Sequence, residues 1–135
     1  MKRLMGMRFV LITLILLTFR PVILRADPYD LDAITSAIRS GDVNQLSPFL
    51  DARVNICLPD KTDSYSKTQA EMVIRDFFAT HTVQGFKVIQ QGNNGEYVFC
   101  SGLLRTDSGN YRTTLFFKQK GNRQVVQEIR FQPVE

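Results

Sequence analysis

Residues 66–80 of this chain read SKTQAEMVIRDFFAT, and this stretch decides the fold class. Ser66 followed three positions later by Gln69 forms a capping box, in which the hydroxyl accepts a free backbone N–H and the amide reaches back to the cap. Apolar residues then recur at helical spacing: Ala70, Val73, Ile74, Phe77 and Phe78. A stripe of this width has to be buried, so the stretch predicts a long helix packed on another layer of structure.

After this helix the apolar residues change to a period of two, which is typical of strands. Turn residues at 93–95, 107–110 and 121–122 divide the segment. The predicted strands cover residues 86–89, 97–104, 111–118 and 125–131. Four strands joined by short turns make an antiparallel meander. Gly102 lies inside one of them, and because a strand glycine often marks a bend, we expect a curved sheet wrapped around the long helix.

The segment before the long helix adds two helices and a strand. Residues 27–40 and 42–50 carry apolar side chains at helical spacing. Residues 54–58 alternate and predict a first strand, followed by turn residues between 59 and 64. Helices segregated to one side of an antiparallel sheet define the α+β class. The chain is therefore predicted to be α+β, with its helices packed on a curved antiparallel sheet in a cone-like architecture.

The first 26 residues have the order of a secretory signal. Three basic residues precede an uncharged apolar run over residues 9–19, and Ala26 offers a small residue for cleavage. The run is shorter than the roughly 20 residues that a spanning helix needs, although an uncleaved N-terminal anchor stays open. The sequence thus predicts a signal peptide at residues 1–26, a single domain at residues 27–135, and an exported protein, periplasmic or secreted, that meets a membrane only for export.

The basic character of the chain belongs to this N-terminal segment. The chain has 17 Lys and Arg residues against 13 Asp and Glu, but five of the basic and none of the acidic residues lie before residue 27. The remaining domain has no basic surplus, and a nucleic-acid-binding surface needs one. Lys118, Lys120 and Arg123 cluster at a hairpin tip, where charges stay in water. We therefore expect no nucleic-acid partner.

Few residues are available for a cofactor or for nucleophilic chemistry. His81 is the only histidine, which excludes a His-rich metal site, and no glycine-rich phosphate loop is present. Cys57 and Cys100 fit either a disulfide in an oxidising compartment or two buried thiols. No cofactor or metal ion is predicted.

Five short motifs stand in a characteristic order along the chain. They are IRSGD at residues 38–42, YSKTQAE at 65–71, FF at 77–78, GL at 102–103 and GNYR at 109–112. Together with the order of elements, they resemble the nuclear-transport-factor-2-like superfamily, with its cystatin-like cone of curved sheet and helices. Within it they are similar to an exported bacterial family known as domain of unknown function 4783. The resemblance implies the fold and export, and it implies no reaction.

The resemblance also allows a test for catalysis, because the superfamily includes steroid-isomerase-like enzymes. Those enzymes place a tyrosine in the first helix and an aspartate at the end of the first strand, where this chain has Ile34 and Cys57. The two central meander strands contain no carboxylate, so the base and the oxyanion donor of proton abstraction are missing. No catalytic residue is predicted. The alternative is an isomerase- or hydrolase-like enzyme whose atypical site uses His81, Asp60 or Arg112.

A cone of this kind can hold a small apolar or amphipathic ligand, and this is the predicted function. The candidate pocket residues are those expected to point toward the long helix: Phe78, Cys100, Leu115, Phe117 and Phe131. Arg112 joins them if it faces the cone, where it would bind a carboxylate bidentately. The alternative is an exposed arginine paired with Glu128. Tyr65 and Lys67 either pack at the helix start or line the mouth of the cone.

The central strands are apolar on both faces, as Phe99 and Leu103 in one set and Val98 and Cys100 in the other show. A sheet covered on one face only is expected to be polar on the other. The pattern predicts a homodimer packed sheet to sheet, or another protein partner on the sheet, unless the N-terminal helices cover the second set. A third interpretation is a structural interaction protein with a filled cone and a cavity below roughly 300 Å³.

Overall fold

The computed structural model describes residues 29–93, 95 and 97–135. The predicted signal peptide at residues 1–26 lies outside this part of the chain. Within the described ranges, no helix is both long and apolar enough to cross a bilayer.

From residue 29 onward, where the described chain begins, two helices precede the sheet. Helix α1 spans Tyr29–Ser40 and ends where Gly41 adopts a left-handed φ of +65°, which a residue without a Cβ reaches at no steric cost. Helix α2 spans Val43–Leu46 and passes into a 3₁₀ turn at Ser47–Phe49. The second predicted helix is thus shorter than expected, because Pro48 has no N–H with which to continue the helical ladder.

Helix α3 spans Lys67–Thr80 and has the predicted capping box. The backbone N–H of Gln69 donates to Ser66 Oγ, and the N–H of Ser66 donates to Gln69 Oε1, each at 3.3 Å. Four residues of the predicted stripe are buried: Ala70, Ile74, Phe77 and Phe78. The beginning of this helix and its buried face are therefore confirmed.

The sheet has six strands. They are β1 Leu50–Cys57, β2 Thr62–Ser66, β3 Val83–Asn93, β4 Tyr97–Thr106, β5 Gly109–Lys120 and β6 Arg123–Val134. Their order across the sheet is β2-β1-β6-β5-β4-β3. Strands β3 to β6 form the predicted antiparallel meander, and the α+β class is confirmed.

Two features of the sheet differ from the prediction. Strand β1 pairs in parallel with β6, so the sheet is mixed rather than purely antiparallel. Residues 62–66, of which those up to 64 were predicted as a turn, form strand β2, which pairs antiparallel with β1. The segment TDSYS lacks the apolar alternation that marks a strand in sequence, and backbone pairing with β1 determines its conformation instead.

Gly102 allows the close approach of β3 and β4. A Cβ at this position would lie 2.6 Å from the carbonyl oxygen of Lys87 and 2.6 Å from Cε1 of Phe86. The register between the two strands also shifts between Val88 and Gln90. The absent side chain lets the Phe86 ring lie against the backbone of β4, and the sheet curves around the helices as expected.

The core lies between the helices and the inner face of the sheet. Strands β5 and β6 contribute its largest group of buried side chains: Leu115, Phe117, Val126, Ile129 and Phe131. Helix α1 adds Ile34 and Ile38, both fully buried. Removing one such side chain from water stabilises the fold by about 1.5–3 kcal/mol, so this layer holds the helices on the sheet.

The two cysteines are free thiols. Cys57 lies on β1 and Cys100 on β4, with β6 and β5 between them. Because neighbouring strands lie about 4.8 Å apart, the two residues are separated by about 14 Å, whereas a disulfide needs Cα atoms within about 7 Å. A disulfide within one chain is therefore excluded. Burial raises the pKa of the Cys100 thiol, which keeps it protonated and unreactive.

Candidate functional site

A cavity of about 570 Å³ opens between helix α3 and the turn that joins β1 to β2. Its lining comes from the turn at residues 58–61, from Tyr65, from the second half of α3 and from Tyr111 of β5. The turn is closed by two backbone hydrogen bonds: the N–H of Leu58 donates to the carbonyl of Lys61 at 2.8 Å, and the reverse bond measures 3.4 Å. These bonds fix the shape of the turn, which lies over helix α3. We call the space between the turn and the helix the α3 cavity.

The walls of the α3 cavity are apolar. Phe77 lies against Phe131 with 4.2 Å between ring centroids and meets Tyr111 edge-on at 5.4 Å. Half-buried Tyr65 and Val73 complete the wall beside Phe77. Aromatic pairs in these geometries add about 0.5–1.5 kcal/mol beyond their buried area, so packing behind the wall holds its shape.

His81 caps the C-terminus of α3 and lines the cavity. Its ring stacks on Phe77 with 4.2 Å between centroids. Its Nδ1 lies 3.0 Å from the carbonyl oxygen of Phe77 and 2.8 Å from Thr80 Oγ1. The Thr80 hydroxyl donates its own hydrogen to the carbonyl oxygens of Asp76 and Phe77, at 3.1 and 3.2 Å. Because the Phe77 carbonyl can only accept, this contact places the proton on Nδ1 and leaves Nε2 of the neutral ring as an acceptor.

Three exposed charged side chains also line the α3 cavity: Asp60, Lys61 and Asp76. The first two come from the β1–β2 turn and the third from α3. The site thus combines apolar walls with two carboxylates, one ammonium group and one imidazole. Among the described residues, no three His, Cys, Asp or Glu side chains gather closely enough to hold a metal ion.

Asp107 is electrostatically coupled to His81. Its carboxylate accepts hydrogen bonds from the Ser108 hydroxyl at 3.0 Å and from the Thr82 N–H at 2.9 Å. The Ser108 bond is the main reason that the pKa of Asp107 lies below its usual value, and the charge of His81 contributes in the same direction.

The structure places the predicted pocket residues in the core. All five are buried, from fully buried to 8% exposed: Phe78, Cys100, Leu115, Phe117 and Phe131. None of them lines the α3 cavity; Phe131 lies behind Phe77 and borders a separate cavity of about 370 Å³ beside Pro133. Their assignment as ligand contacts stays a prediction, and their role in this structure is packing.

Two of the three residues named for an atypical enzyme site converge. Asp60 and His81 both line the α3 cavity, whereas Arg112 does not. Tyr65, one of the two residues at the start of the long helix, lines this cavity as well, and Lys67 is outside it. Side chains from distant parts of the sequence therefore meet at the mouth of the cone.

Arg112 points away from the cone. Its neighbours Tyr111 and Thr113 are buried toward the helices, so alternation along the strand directs Arg112 to the outer face, where it is exposed. The prediction that Arg112 binds a carboxylate inside the cone is therefore wrong. The alternative of an exposed arginine is what the structure has. Its suggested pairing with Glu128 is not formed, because Arg112 lies opposite Gln132, and the ion pair of Glu128 is with Arg130 at 2.9 Å.

Sequence reasoning missed Leu58, Val73, Phe77 and Tyr111 as lining residues. Val73 and Phe77 belong to the helical stripe that was recognised as core-facing. What the sequence did not show is that one side of this stripe faces a cavity rather than the core. That cavity exists because strand β2, which was not predicted, pairs with β1 and brings the 58–61 turn over α3. Once that pairing is known, the location of the cavity follows.

A family model described as "Domain of unknown function (DUF4783)" matches residues 31–132. The chain belongs to this family. A DUF4783 family protein from Bacteroides uniformis is 30% identical, with a TM-score of 0.74 over 77% of this chain and 96% of that one. A DUF4783 family protein from Bacteroides ovatus is 28% identical, with a TM-score of 0.74 over 76% of this chain and 94% of that one.

More distant structures share the fold alone. An NTF2-like protein from Cytophaga hutchinsonii is 12% identical, with a TM-score of 0.59 over 78% of this chain and 93% of that one. The fold of this DUF4783 domain is therefore nuclear-transport-factor-2-like, as the sequence resemblance implied. No curated protein matches the chain.

Proposed function

We propose that this chain is an exported, non-catalytic binding domain whose α3 cavity takes a small amphipathic ligand. The observation that carries the proposal is the size and make-up of the cavity. Its volume of about 570 Å³ falls in the range of about 300–1,000 Å³ that is usual for small-molecule sites. Apolar walls with a few convergent polar groups are also the usual composition of such sites, whereas a filled cone would leave no space of this size.

The side chains favour a ligand with a flat apolar body and a hydrogen-bond donor. Tyr65, Tyr111 and the His81 ring supply aromatic surface for the body. Among the charged groups, the carboxylates of Asp60 and Asp76 accept hydrogen bonds, and Lys61 alone carries an ammonium group. Two acidic groups against one basic group favour an amine or hydroxyl on the ligand over a carboxylate.

The positions that carry catalysis in steroid-isomerase-like proteins support a binding role here. Ile34 is fully buried in the core and has no polar atom to donate to an oxyanion. Cys57 ends β1 as a half-buried free thiol. Neither residue can act as the acid or the base of a proton transfer in the way that a tyrosine and an aspartate do.

Native mass spectrometry of the protein, expressed from the full chain in an exporting bacterial host, tests the proposal. We expect an extra mass that leaves on collisional activation. Val73→Trp, which places an indole in the α3 cavity, should abolish the extra mass. Met72→Trp is the matched control, because Met72 is 58% exposed and lies outside the cavity lining, and it should retain the ligand.

Two outcomes would count against this function. Retention of the extra mass by Val73→Trp at the level of the control would locate the ligand elsewhere. Protein mass alone in every variant, together with no binding from an amphipathic amine library, would favour the structural interaction protein. The same spectra report whether residues 1–26 have been removed, which tests export separately.

A second candidate function is proton transfer, and the tautomer of His81 favours it. With Nδ1–H donated to the Phe77 carbonyl, the lone pair of the neutral ring is on Nε2, and His81 and Asp60 line the same cavity. A positioned general base contributes about 10²–10⁴-fold to a rate. If the wild type converts the recovered ligand, His81→Gln should slow conversion by about 100-fold or more while binding persists. Absence of turnover in the wild type rejects this candidate.

A further inference from the structure

A second cavity, of about 600 Å³, lies at the opposite edge of the sheet, along strand β3. Strand β3 is the last strand of the sheet, so one side of its backbone has no strand neighbour. Three basic side chains line the cavity, together with an amide and two apolar residues: Arg39, Lys87, Arg105, Gln84, Phe86 and Leu103. None of the described acidic residues is among the side chains that line it. We call this space the β3-edge cavity.

Arg39 reaches the cavity from the last turn of α1. Its Nε donates to the carbonyl oxygen of Phe86 at 3.3 Å. This bond uses one donor of the guanidinium and ties the group to the backbone of β3. The two Nη groups remain as donors, and a planar guanidinium held in this way is suited to bidentate binding of an oxyanion.

Arg105 is on β4, directly opposite Gly85 of the neighbouring strand β3. A Cβ added to Gly85 would stand 2.9 Å from Arg105 Nη2, so the guanidinium lies against the glycine backbone. The register of the two strands shifts between Val83 and Gly85. The glycine therefore leaves the space in which the Arg105 guanidinium lies, and a larger residue would displace that group.

No carboxylate of the described residues forms an ion pair with any of the three cations. The two ion pairs within the described residues involve other side chains. Arg112 stands across from Leu103 on the outer face and adds a fourth positive charge nearby. Residues 27–135 carry no basic surplus, so this concentration of positive charge is local rather than a property of the whole surface.

We propose that the β3-edge cavity binds a small molecule that bears a phosphate group. Three cations that no described carboxylate pairs with match a doubly charged oxyanion better than a single carboxylate, and two of them are arginines, whose planar donors fit phosphate oxygens. Half-buried Leu103, which pairs with Lys87 on the outer face, provides an apolar floor against which the carbon part of a phosphate ester can pack. This site is separate from the α3 cavity and does not depend on the function proposed for it.

Titration with inorganic phosphate tests the site, against chloride at the same ionic strength. The protein is ¹⁵N-labelled and expressed from the full chain in an exporting host, and amide shifts are the readout. We expect saturable shifts confined to residues around Gly85, Leu103 and Arg105. Loss of one charge-assisted hydrogen bond in Arg105→Gln should weaken binding by about tenfold or more.

Two further variants separate a built site from a general effect of charge. Arg53→Gln removes the same charge from an exposed position on β1 and should leave binding unchanged. Gly85→Ala keeps every charge but places a methyl group where Arg105 Nη2 lies, and it should weaken binding as well. Equal losses in Arg53→Gln and Arg105→Gln, or shifts spread over the whole surface, would overturn the proposal.

Two additional measurements distinguish a soluble phosphate ester from a phospholipid surface as the source of the phosphate group. Glycerol 3-phosphate should compete with inorganic phosphate and bind more tightly, because its carbon chain adds contact with the floor. Vesicles of phosphatidylglycerol should not sediment the protein. Sedimentation with vesicles, without any shift from the soluble phosphates, would overturn the small-molecule assignment in favour of a lipid surface.

Discussion

Thr113 carries a buried hydroxyl that has no hydrogen-bond partner in the described part of the chain. The residue is fully buried on β5. Leaving such a group unsatisfied costs about 1–3 kcal/mol, and Val has nearly the same shape. Thr113→Val should therefore raise the free energy of unfolding by about 1 kcal/mol, measured by urea denaturation. Thr114→Val is the control, because the Thr114 hydroxyl pairs with Ser101 at 3.1 Å, and it should give no gain.

Asp51 ties the start of β1 to the β5–β6 hairpin. Its carboxylate accepts hydrogen bonds from Lys120 Nζ at 2.6 Å, from Gln127 Nε2 at 3.1 Å and from the Ala52 N–H at 2.8 Å. Burial by itself raises the pKa of Asp51, but the bonds from Lys120, Gln127 and Ala52 outweigh it, and the pKa lies below its ordinary value of 3.8. The folded state therefore holds the charged form more tightly than the unfolded chain does.

This lowered pKa predicts a dependence of stability on pH. The contribution of Asp51 is fully present above the ordinary pKa of 3.8 and is lost as the pH falls through the lower folded value. Asp51→Asn should destabilise the protein by roughly 1–2 kcal/mol at pH 7, and the difference from wild type should shrink in acid. Urea denaturation across the pH range measures this, with exposed Asp63→Asn as the control. A difference that does not change with pH contradicts the prediction.

At the scale of elements, the capping box that begins helix α3 is the clearest local pattern in the sequence. Ser66→Ala removes the acceptor for the Gln69 N–H and should lower the free energy of unfolding by about 1 kcal/mol. Thr68→Ala, in the same turn but exposed, should be neutral or slightly stabilising, since alanine favours helices. Equal losses in both variants would mean that the cap contributes nothing beyond helix propensity.

The elements that were predictable are those with a signal in neighbouring residues. Helix α3 has a cap and an apolar stripe, and the meander has turn residues at regular spacing. Strand β2 has neither, because residues 62–66 are polar and largely exposed. The conformation of β2 depends on its pairing with β1. The parallel pairing of β1 with β6 joins residues that are far apart in the sequence. Neither pairing can therefore be predicted from a pattern in neighbouring residues.

The two cavities were harder to predict for the same reason. Tyr65 and Tyr111 meet only because α3 and the sheet pack together, and Arg39, Lys87 and Arg105 meet only at the edge of the finished sheet. The predicted pocket residues were chosen by the direction of their side chains toward α3. Side chains such as Phe117 and Phe131 do point inward and are buried. An inward-pointing side chain can belong either to the packed core or to the wall of an open site, and the sequence does not distinguish the two.

At the scale of the whole molecule, the sheet-to-sheet homodimer stays a prediction. The outer face carries Phe99 and Phe116, half-buried rings with centroids 6.4 Å apart, and the Arg130 guanidinium lies 5.0 Å from the Phe116 centroid. We expect a dimer by sedimentation equilibrium at high concentration. Phe116→Lys should produce a monomer by placing a charge in the interface, whereas Met72→Lys on the exposed side of α3 should not. A wild-type monomer at high concentration rules the dimer out.

Strand β6 ends the described chain, yet it occupies the middle of the sheet, between β1 and β5. During synthesis, β1 and β2 are made early and remain without their inner neighbour until residues 123–134 have emerged. A nascent chain that lacks this last strand is divided into two pieces, each with an open edge able to capture other chains. Cooperative folding of the sheet therefore requires residues 123–134, and a chain truncated before them should aggregate rather than form a shortened but working domain.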